Sequence, residues 1–136
     1  MKITPFVPNH LHLIVRGFMV NPPTSEDALN AFLSELVSRV RMEILTGPNS
    51  VYCNDLGNEG VTGTVVLSTS HASIHVWDKQ DPALFQFDIY SCAEFTPVEV
   101  LEFMDSEFSL FDVSYIFIDR NQEDFFEKER GFFNKS

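Results

Sequence analysis

The sequence predicts an α+β fold, a two-layer sandwich in which an antiparallel sheet carries two helices packed on one face. Several short segments alternate apolar with polar residues, as half-buried strands do. Two other segments repeat apolar residues at helical spacing behind capping residues. The elements follow one another as roughly βαββββαβ with short connections, an order that suits antiparallel strands with helices on one face.

The first strand and the first helix have clear local signals. Residues 10–16 alternate as a strand does. Thr24 or Ser25 can cap a helix, and Glu26 and Asp27 in its first turn are favourable at the positive end of the helix dipole. The core-facing stripe of this helix comprises Leu29, Phe32, Leu33, Leu36, Val37 and Val40.

The segment after this helix leaves two alternatives open. Residues 42–45 and 50–53 are short apolar pieces on either side of residues 46–49, which have the composition of a turn. They form either a hairpin or one interrupted strand. Further strands are expected at residues 61–67, 83–92 and 113–118.

The second helix has a strong start signal. Thr96 supplies a capping hydroxyl, Pro97 fits the first helical position, and Glu99 completes a capping box. From Asn121 onward, charged residues alternate with phenylalanine pairs, and this end is expected to dock as a short helix or to fray. We expect one domain over residues 1–136, with about 119–136 as a peripheral C-terminal tail.

Composition and charge limit the possible partners. The chain has 136 residues, 44% of them hydrophobic, which is enough for a single core. Its formal net charge of −11 repels nucleic acids and anionic membranes, and it favours a cationic or zwitterionic small ligand. With two cysteines, no secretory signal pattern and no apolar run long enough to span a bilayer, we expect a reduced, cytoplasmic protein.

Residues 69–77 concentrate hydroxyl groups, two imidazoles and the only tryptophan between two apolar strands. Ser70 and His75 could act as nucleophile and base, because a serine hydroxyl attacks only when a nearby group accepts its proton. However, Ser70 lacks the glycine-flanked turn of serine hydrolases. Spacing alone therefore favours a turn serine beside a hydrogen-bonded histidine.

The four histidines allow a second interpretation. Imidazoles on alternate strand positions share a face and can bind zinc, copper or iron. Histidines that face polar partners are the commoner outcome, so we expect no metal site. The histidines concerned are His10, His12, His71 and His75.

Two further side chains have alternative interpretations. Cys92 ends an apolar strand, where a buried, inert thiol is usual and a catalytic thiol would need solvent access and a tuned pKa. Asp88 alternates with large apolar neighbours. It is therefore either a solvated edge residue or a site residue that must be paired.

Three blocks of this sequence resemble the short form of the bacterial S-adenosylmethionine decarboxylase proenzymes. Residues 60–63 are Gly-Val-Thr-Gly, residues 70–77 are Ser-His-Ala-Ser-Ile-His-Val-Trp, and residues 88–92 are Asp-Ile-Tyr-Ser-Cys. The family carries G-V-S-G, E-S-H-x-x-I-H-T-W and D-x-F-T-C in the same order and with nearly the same spacing. The resemblance covers about residues 10–118.

This resemblance implies autocatalytic cleavage of a zymogen between Thr69 and Ser70, after which Ser70 becomes a pyruvoyl cofactor that forms a Schiff base with the substrate. His75 matches the histidine that removes the Ser70 Cα proton during processing. Thr62 replaces a serine whose hydroxyl supports processing. Cys92 matches the proton donor of the decarboxylation.

The resemblance also implies a substrate and a partner. The substrate would be S-adenosylmethionine, decarboxylated to the aminopropyl donor for spermidine and other polyamines, and cleaved protomers would pair as homodimers. Trp77 would stack on the adenine. Asp78 would replace, with a one-residue shift, a carboxylate that holds ribose hydroxyls, and Leu56 stands where the family has an aromatic residue.

Differences from the family leave two alternatives open. Leu56 and Lys79 alter the expected nucleoside site, which together with the acidic charge suits a basic amino acid such as arginine or ornithine as substrate. Thr69 replaces the glutamate that precedes the cleaved serine. An uncleaved, non-enzymatic homologue that regulates an active decarboxylase is the second alternative.

Overall fold

The computed structural model describes residues 9–121 and 124–134. Within these residues, seven strands form one sheet, all neighbouring pairs are antiparallel, and the strand order is β2-β3-β4-β5-β1-β6-β7. This confirms the predicted α+β class. The elements are β1 (Leu11–Met19), α1 (Glu26–Arg39), β2 (Ile44–Cys53), β3 (Gly60–Leu67), β4 (Ser70–Trp77), β5 (Ala83–Ser91), α2 (Pro97–Phe108), β6 (Leu110–Asp119) and β7 (Phe126–Phe133).

The core lies between the helices and one face of the sheet. Alternate strand residues are buried there, and α1 approaches β3 so closely that a Cβ on Gly63 would lie 2.8 Å from the Leu29 side chain. The two helices contact each other where Phe32 stacks on Phe103 at 5.5 Å between ring centroids. The largest fully buried side chains include Phe85, Leu13, Met19, Leu33, Ile74, Ile89 and Met104.

Both helix starts follow the capping signals of the sequence. Ser25, and not Thr24, is the N-cap of α1, where its Oγ accepts a hydrogen bond of 3.1 Å from Ala28 N. Thr96 caps α2 in a capping box, in which Thr96 N donates to Glu99 Oε2 at 3.1 Å. These contacts satisfy backbone donors that the first turn of a helix leaves unpaired.

Residues 44–53 form one interrupted strand and not a hairpin. β2 pairs with β3 along its length, but the register shifts between Ile44 and Thr46 and again between Thr46 and Asn49. The turn-forming residues Gly47 and Pro48 lie in this stretch, and Gly47 has a positive φ of 92°. The turn composition therefore produces bulges within the strand, which the partner strand still accommodates.

The prediction of a helical or frayed C-terminal end was wrong for the described part of it. Residues 126–133 form β7, which pairs antiparallel with β6 at the edge of the sheet. This pairing satisfies the backbone groups that β6 would otherwise expose at its free edge. Residues 1–8, 122–123 and 135–136 of the predicted domain and tail lie outside the described residues.

The second face of the sheet, which we call the open face, is not covered by either described helix. It carries polar and ionisable side chains, including His12, His71, His75 and Asp88, and its apolar Ile14 is 41% exposed. Neither helix of the described chain is long and apolar enough to cross a membrane. The predicted site residues lie partly on this open face and partly at one end of the sheet.

Candidate active site

The predicted cleavage bond lies in a tight hairpin connection. Leu67 pairs with Ser70, so that Ser68 and Thr69 alone connect β3 to β4. Thr69 has a φ of 53°, in the left-handed region that β-branched residues rarely adopt. Hairpin connections of two residues often require positive φ, which glycine or asparagine usually provides. The bond that follows Thr69 is therefore held in a strained turn.

Three residues predicted to act in cleavage and catalysis meet at this turn. Thr69 Oγ1 and Cys92 Sγ share a hydrogen bond of 2.8 Å, and Ser70 Oγ lies 3.6 Å from the same sulfur. The backbone N–H of Cys92 donates to Ser70 Oγ at 3.0 Å. The end of β5 therefore fixes the Ser70 hydroxyl beside the bond that it is predicted to attack.

The surroundings of Cys92 lower the pKa of its thiol. Hydrogen bonds from Thr69 and, next in importance, from Ser70 hold the pKa of the Cys92 thiol below its ordinary value, whereas partial burial acts in the opposite direction. The sulfur also donates to the carbonyl oxygen of Ser68 at 3.4 Å when it is protonated. Cys92 is half-buried and is therefore not the fully buried core thiol that its strand position suggested.

Thr62 and His75 form a second pair on the open face. They are directly opposite each other on β3 and β4, and Thr62 Oγ1 lies 2.9 Å from His75 Nδ1. The centroids of the Trp77 and His75 rings are 6.2 Å apart. The structure thus brings together the residues predicted to support processing, with the predicted adenine-stacking residue beside them.

The two groups of residues are separate within one chain. Ser70 and His75 are on the same strand, five positions apart, which corresponds to about 16 Å of strand length. An odd separation also places their side chains on opposite faces of a strand. Ser70 shares its face with the buried Ala72 and Ile74, whereas His75 lies on the open face. His75 therefore does not reach Ser70 of its own chain.

The predicted substrate-binding residues lie at the other end of β4. Trp77 Nε1 donates to Asn58 Oδ1 at 2.9 Å. Asp78 Oδ1 accepts a hydrogen bond of 2.7 Å from Tyr52, and this bond raises the pKa of Tyr52 to about 12. Leu56 is 98% exposed in the β2–β3 connection. No spacing in the sequence indicated the contacts of Asn58 and Tyr52, because both depend on how β2 pairs with β3.

A concavity of about 510 Å³ opens on the open face beside His75. This volume is within the range of small-molecule sites. The polar side chains that line it come from β1, β5, β4, β6 and β7, and they include His12, Arg16, Gln86, Asp88, Ser114 and Arg130.

Asp88 is paired with neighbouring side chains and is not a solvated edge residue. Its Oδ2 lies 2.8 Å from His12 Nε2 and 3.3 Å from His71 Nε2, and Ser73 Oγ donates to its Oδ1. Burial alone would raise the pKa of the Asp88 carboxyl. The hydrogen bonds from His12 and Ser73, with the nearby histidine charges, outweigh burial and lower that pKa below its usual value.

A comparison with known protein families decides which group this site belongs to. The family model of S-adenosylmethionine decarboxylase matches residues 11–121, which include both groups of site residues. The chain belongs to the S-adenosylmethionine decarboxylase family. The three sequence blocks that suggested this family thus lie in the elements that build the site.

Two curated relatives support this membership. An S-adenosylmethionine decarboxylase proenzyme of Archaeoglobus fulgidus is 34% identical over 74 residues, which are 54% of this chain and 61% of the relative. An arginine decarboxylase proenzyme of Aeropyrum pernix is 37% identical over 65 residues, 47% of this chain and 48% of the relative. The matched segments thus span about half to three fifths of the length of these relatives. The names of the family and of both relatives indicate a decarboxylase.

Proposed function

We propose that this protein is a pyruvoyl-dependent S-adenosylmethionine decarboxylase that matures by cleavage between Thr69 and Ser70. The product would be the aminopropyl donor for polyamine synthesis. The observation that carries the proposal is the strained hairpin, in which the Ser70 hydroxyl and the Cys92 sulfur adjoin the Thr69–Ser70 bond. Membership of the family supports the same assignment.

Cleavage would begin with attack of Ser70 Oγ on the carbonyl carbon of Thr69. The Thr69–Ser70 C–N bond then breaks and an ester replaces the amide. Removal of the Ser70 Cα proton then breaks the Cβ–Oγ bond of the ester by β-elimination, so Thr69 leaves as a carboxylate and residue 70 becomes a dehydroalanine. Water then adds and ammonia leaves, which produces the pyruvoyl group. Left-handed strain at Thr69, on the order of 1–2 kcal/mol, favours this reaction because cleavage relieves it.

The residues around position 70 fit a pyruvoyl group. Such a group supplies an electron sink for decarboxylation. Cys92 Sγ is 3.6 Å from Ser70 Oγ and can hold a proton beside the reacting carbon. The Cys92 backbone N–H, 3.0 Å from Ser70 Oγ, orients that position. Cys92 is therefore the proton donor in this proposal.

His75 would act on Ser70 of a second copy of the chain. Within one chain these residues are about 16 Å apart along β4 and lie on opposite faces, so the base that removes the Cα proton must come from elsewhere. The open face displays His75 and Thr62 together with exposed apolar residues such as Ile14 and Val66. In a homodimer that brings His75 to Ser70, the open face of one chain would meet the turn end of the other, and this contact would bury the exposed apolar residues.

S-adenosylmethionine would occupy the concavity beside His75. Trp77 would provide a stacking surface for the adenine, and Asp78 would accept hydrogen bonds from the ribose hydroxyls. The relative from Archaeoglobus fulgidus, named for this substrate, supports the assignment.

Decarboxylation of arginine is the second candidate function. The relative from Aeropyrum pernix is named an arginine decarboxylase proenzyme. Leu56, which stands where the family has an aromatic residue, is 98% exposed and offers no aromatic ring to an adenine. Both observations favour a substrate without a nucleoside.

Release of carbon dioxide from carboxyl-labelled substrates tests these functions. The isolated full-length chain is expected to release it from S-adenosylmethionine and not from arginine or ornithine, and Ser70→Ala is expected to abolish the release. Release from arginine alone would select the second candidate. A chain that remains inert, but raises the activity of another decarboxylase, would instead be a regulatory homologue.

A further inference from the structure

We propose that His12, His71 and Asp88 bind a divalent transition-metal ion on the open face. This site is separate from the cleavage turn and uses none of the residues assigned to catalysis above, although His12 and Asp88 also line the concavity of the open face. It does not depend on the proposed function. It follows from a cluster of possible metal ligands to which no step of cleavage or proton transfer is assigned.

The three side chains converge from three adjacent strands. His12 on β1 and His71 on β4 both pair with Tyr90 of β5, and Asp88 is two residues from Tyr90 on the same face. Both imidazoles direct Nε2 at Asp88 Oδ2, at 2.8 and 3.3 Å, and the three ligand atoms lie within 4.8 Å of one another. Ligands of a tetrahedral zinc ion are about 3.4 Å apart. Small side-chain rotations would achieve this spacing.

The chemistry of these groups suits a first-row transition metal. Two imidazole nitrogens and one carboxylate are typical ligands of Zn²⁺, Co²⁺ and Ni²⁺. Ser73 donates to the other oxygen of Asp88 and orients the carboxylate, as outer hydrogen bonds do around metal sites. In a single chain the His71 and Asp88 side chains are 50% and 27% exposed, so an ion can reach them from solvent before a second chain covers the open face. A fourth coordination position would face outward, toward water or a partner group.

One cation near the site opposes metal binding. Arg120 Nη1 is 3.5 Å from His12 Nδ1, and the guanidinium lies over the Tyr90 ring at 4.5 Å. A metal on Nε2 requires the His12 proton on Nδ1, so Arg120 must move away. Arg120 is exposed and can do so. Its removal should therefore strengthen metal binding, whereas a cluster held only by hydrogen bonds gives no reason for such an effect.

The test is titration of the metal-free Ser70→Ala chain with Zn²⁺ by calorimetry, and with Co²⁺ by visible absorption. This background keeps every chain uncleaved, so the result is independent of maturation. We expect one ion per chain. We expect His71→Gln and Asp88→Asn to weaken binding at least 10-fold, and Arg120→Gln to strengthen it several-fold.

His10→Gln is the matched control, because His10 precedes β1 and contacts Tyr90 but is not one of the three ligands. It should leave the affinity within about 2-fold. The proposal is overturned if Zn²⁺ does not bind saturably, or if His71→Gln weakens binding no more than His10→Gln does. Since His71 is half exposed, its variant should fold even where Asp88→Asn does not.

Discussion

The turn at Thr69 shows how one residue can shape the surroundings of the bond that is predicted to be cleaved. The threonine combines a left-handed backbone with a hydroxyl that contacts Cys92, and both features concern the residue before the predicted cleavage site. The sequence alone indicated neither. Its φ depends on the two-residue connection, and its contact depends on the pairing of β4 with β5.

The Cys92 thiol tests the contact with Thr69. In a Cys53→Ser, Ser70→Ala chain, Thr69→Val should raise the pKa of Cys92 toward its ordinary value, because the principal hydrogen bond that stabilises the thiolate is lost. The measurement is the rate of alkylation by iodoacetamide as a function of pH. The midpoint of this curve should shift to higher pH than in the parent chain. Thr69→Ser, which keeps the hydroxyl, is the control. Superimposable curves for valine and threonine would disprove the role of this hydrogen bond.

Thr62 tests the pair on the open face. Thr62→Val keeps the shape of the side chain but removes the hydroxyl that lies 2.9 Å from His75 Nδ1. Cleavage should slow by about 10-fold or more, as expected when a proton-transfer group loses its orientation. Thr64→Val, on the same strand and face, should cleave at the parent rate. The measurement is the intact mass of each variant over time. Equal cleavage rates for the two variants would rule out this role for Thr62.

At the scale of elements, local signals predicted the helices and long-range pairing determined the rest. The caps at Ser25 and Thr96 follow from short sequence patterns that require no distant partner. By contrast, β2 remains one strand only because β3 pairs with it across its bulges, and β7 exists because β6 has an unpaired edge. The spacing of apolar residues and the composition of a segment do not indicate which strand it will pair with.

The contact of α1 with β3 gives a stability prediction. A Cβ on Gly63 would lie 2.6 Å from Ser50 Oγ and 2.8 and 3.0 Å from the side chains of Leu29 and Leu33. Gly63→Ala should therefore cost about 1–3 kcal/mol of the free energy of unfolding, as overpacked core sites do. Urea unfolding of Ser70→Ala chains measures it. Thr64→Ala, exposed on the same strand, should change stability by less than about 1 kcal/mol. A smaller effect at Gly63 than at Thr64 would contradict this packing.

At the scale of the whole molecule, the open face connects the fold to the proposed function. The sequence blocks indicated the family and predicted the site residues, but they could not show that Ser70 and His75 lie on opposite faces of β4. That separation depends on strand register. Because of this separation, we propose that His75 of one chain acts on Ser70 of another.

Complementation between two inactive chains tests this proposal. The Ser70→Ala chain lacks the nucleophile but keeps His75, whereas the His75→Ala chain keeps Ser70 but lacks the base. If His75 acts on the second copy, the His75→Ala chain should be cleaved when produced together with Ser70→Ala and not when produced alone. Light scattering should show two chains per particle. Cleavage of the His75→Ala chain alone at the parent rate would eliminate His75 as the base, and no cleavage in the mixture would eliminate action between chains.

The intact mass of the purified, aged chain tests the central claim most directly. The account predicts two fragments, one that ends at Thr69 with a free carboxylate and one that begins with a pyruvoyl group at position 70, while Ser70→Ala remains whole. A single full-length species that persists in the parent protein would contradict it.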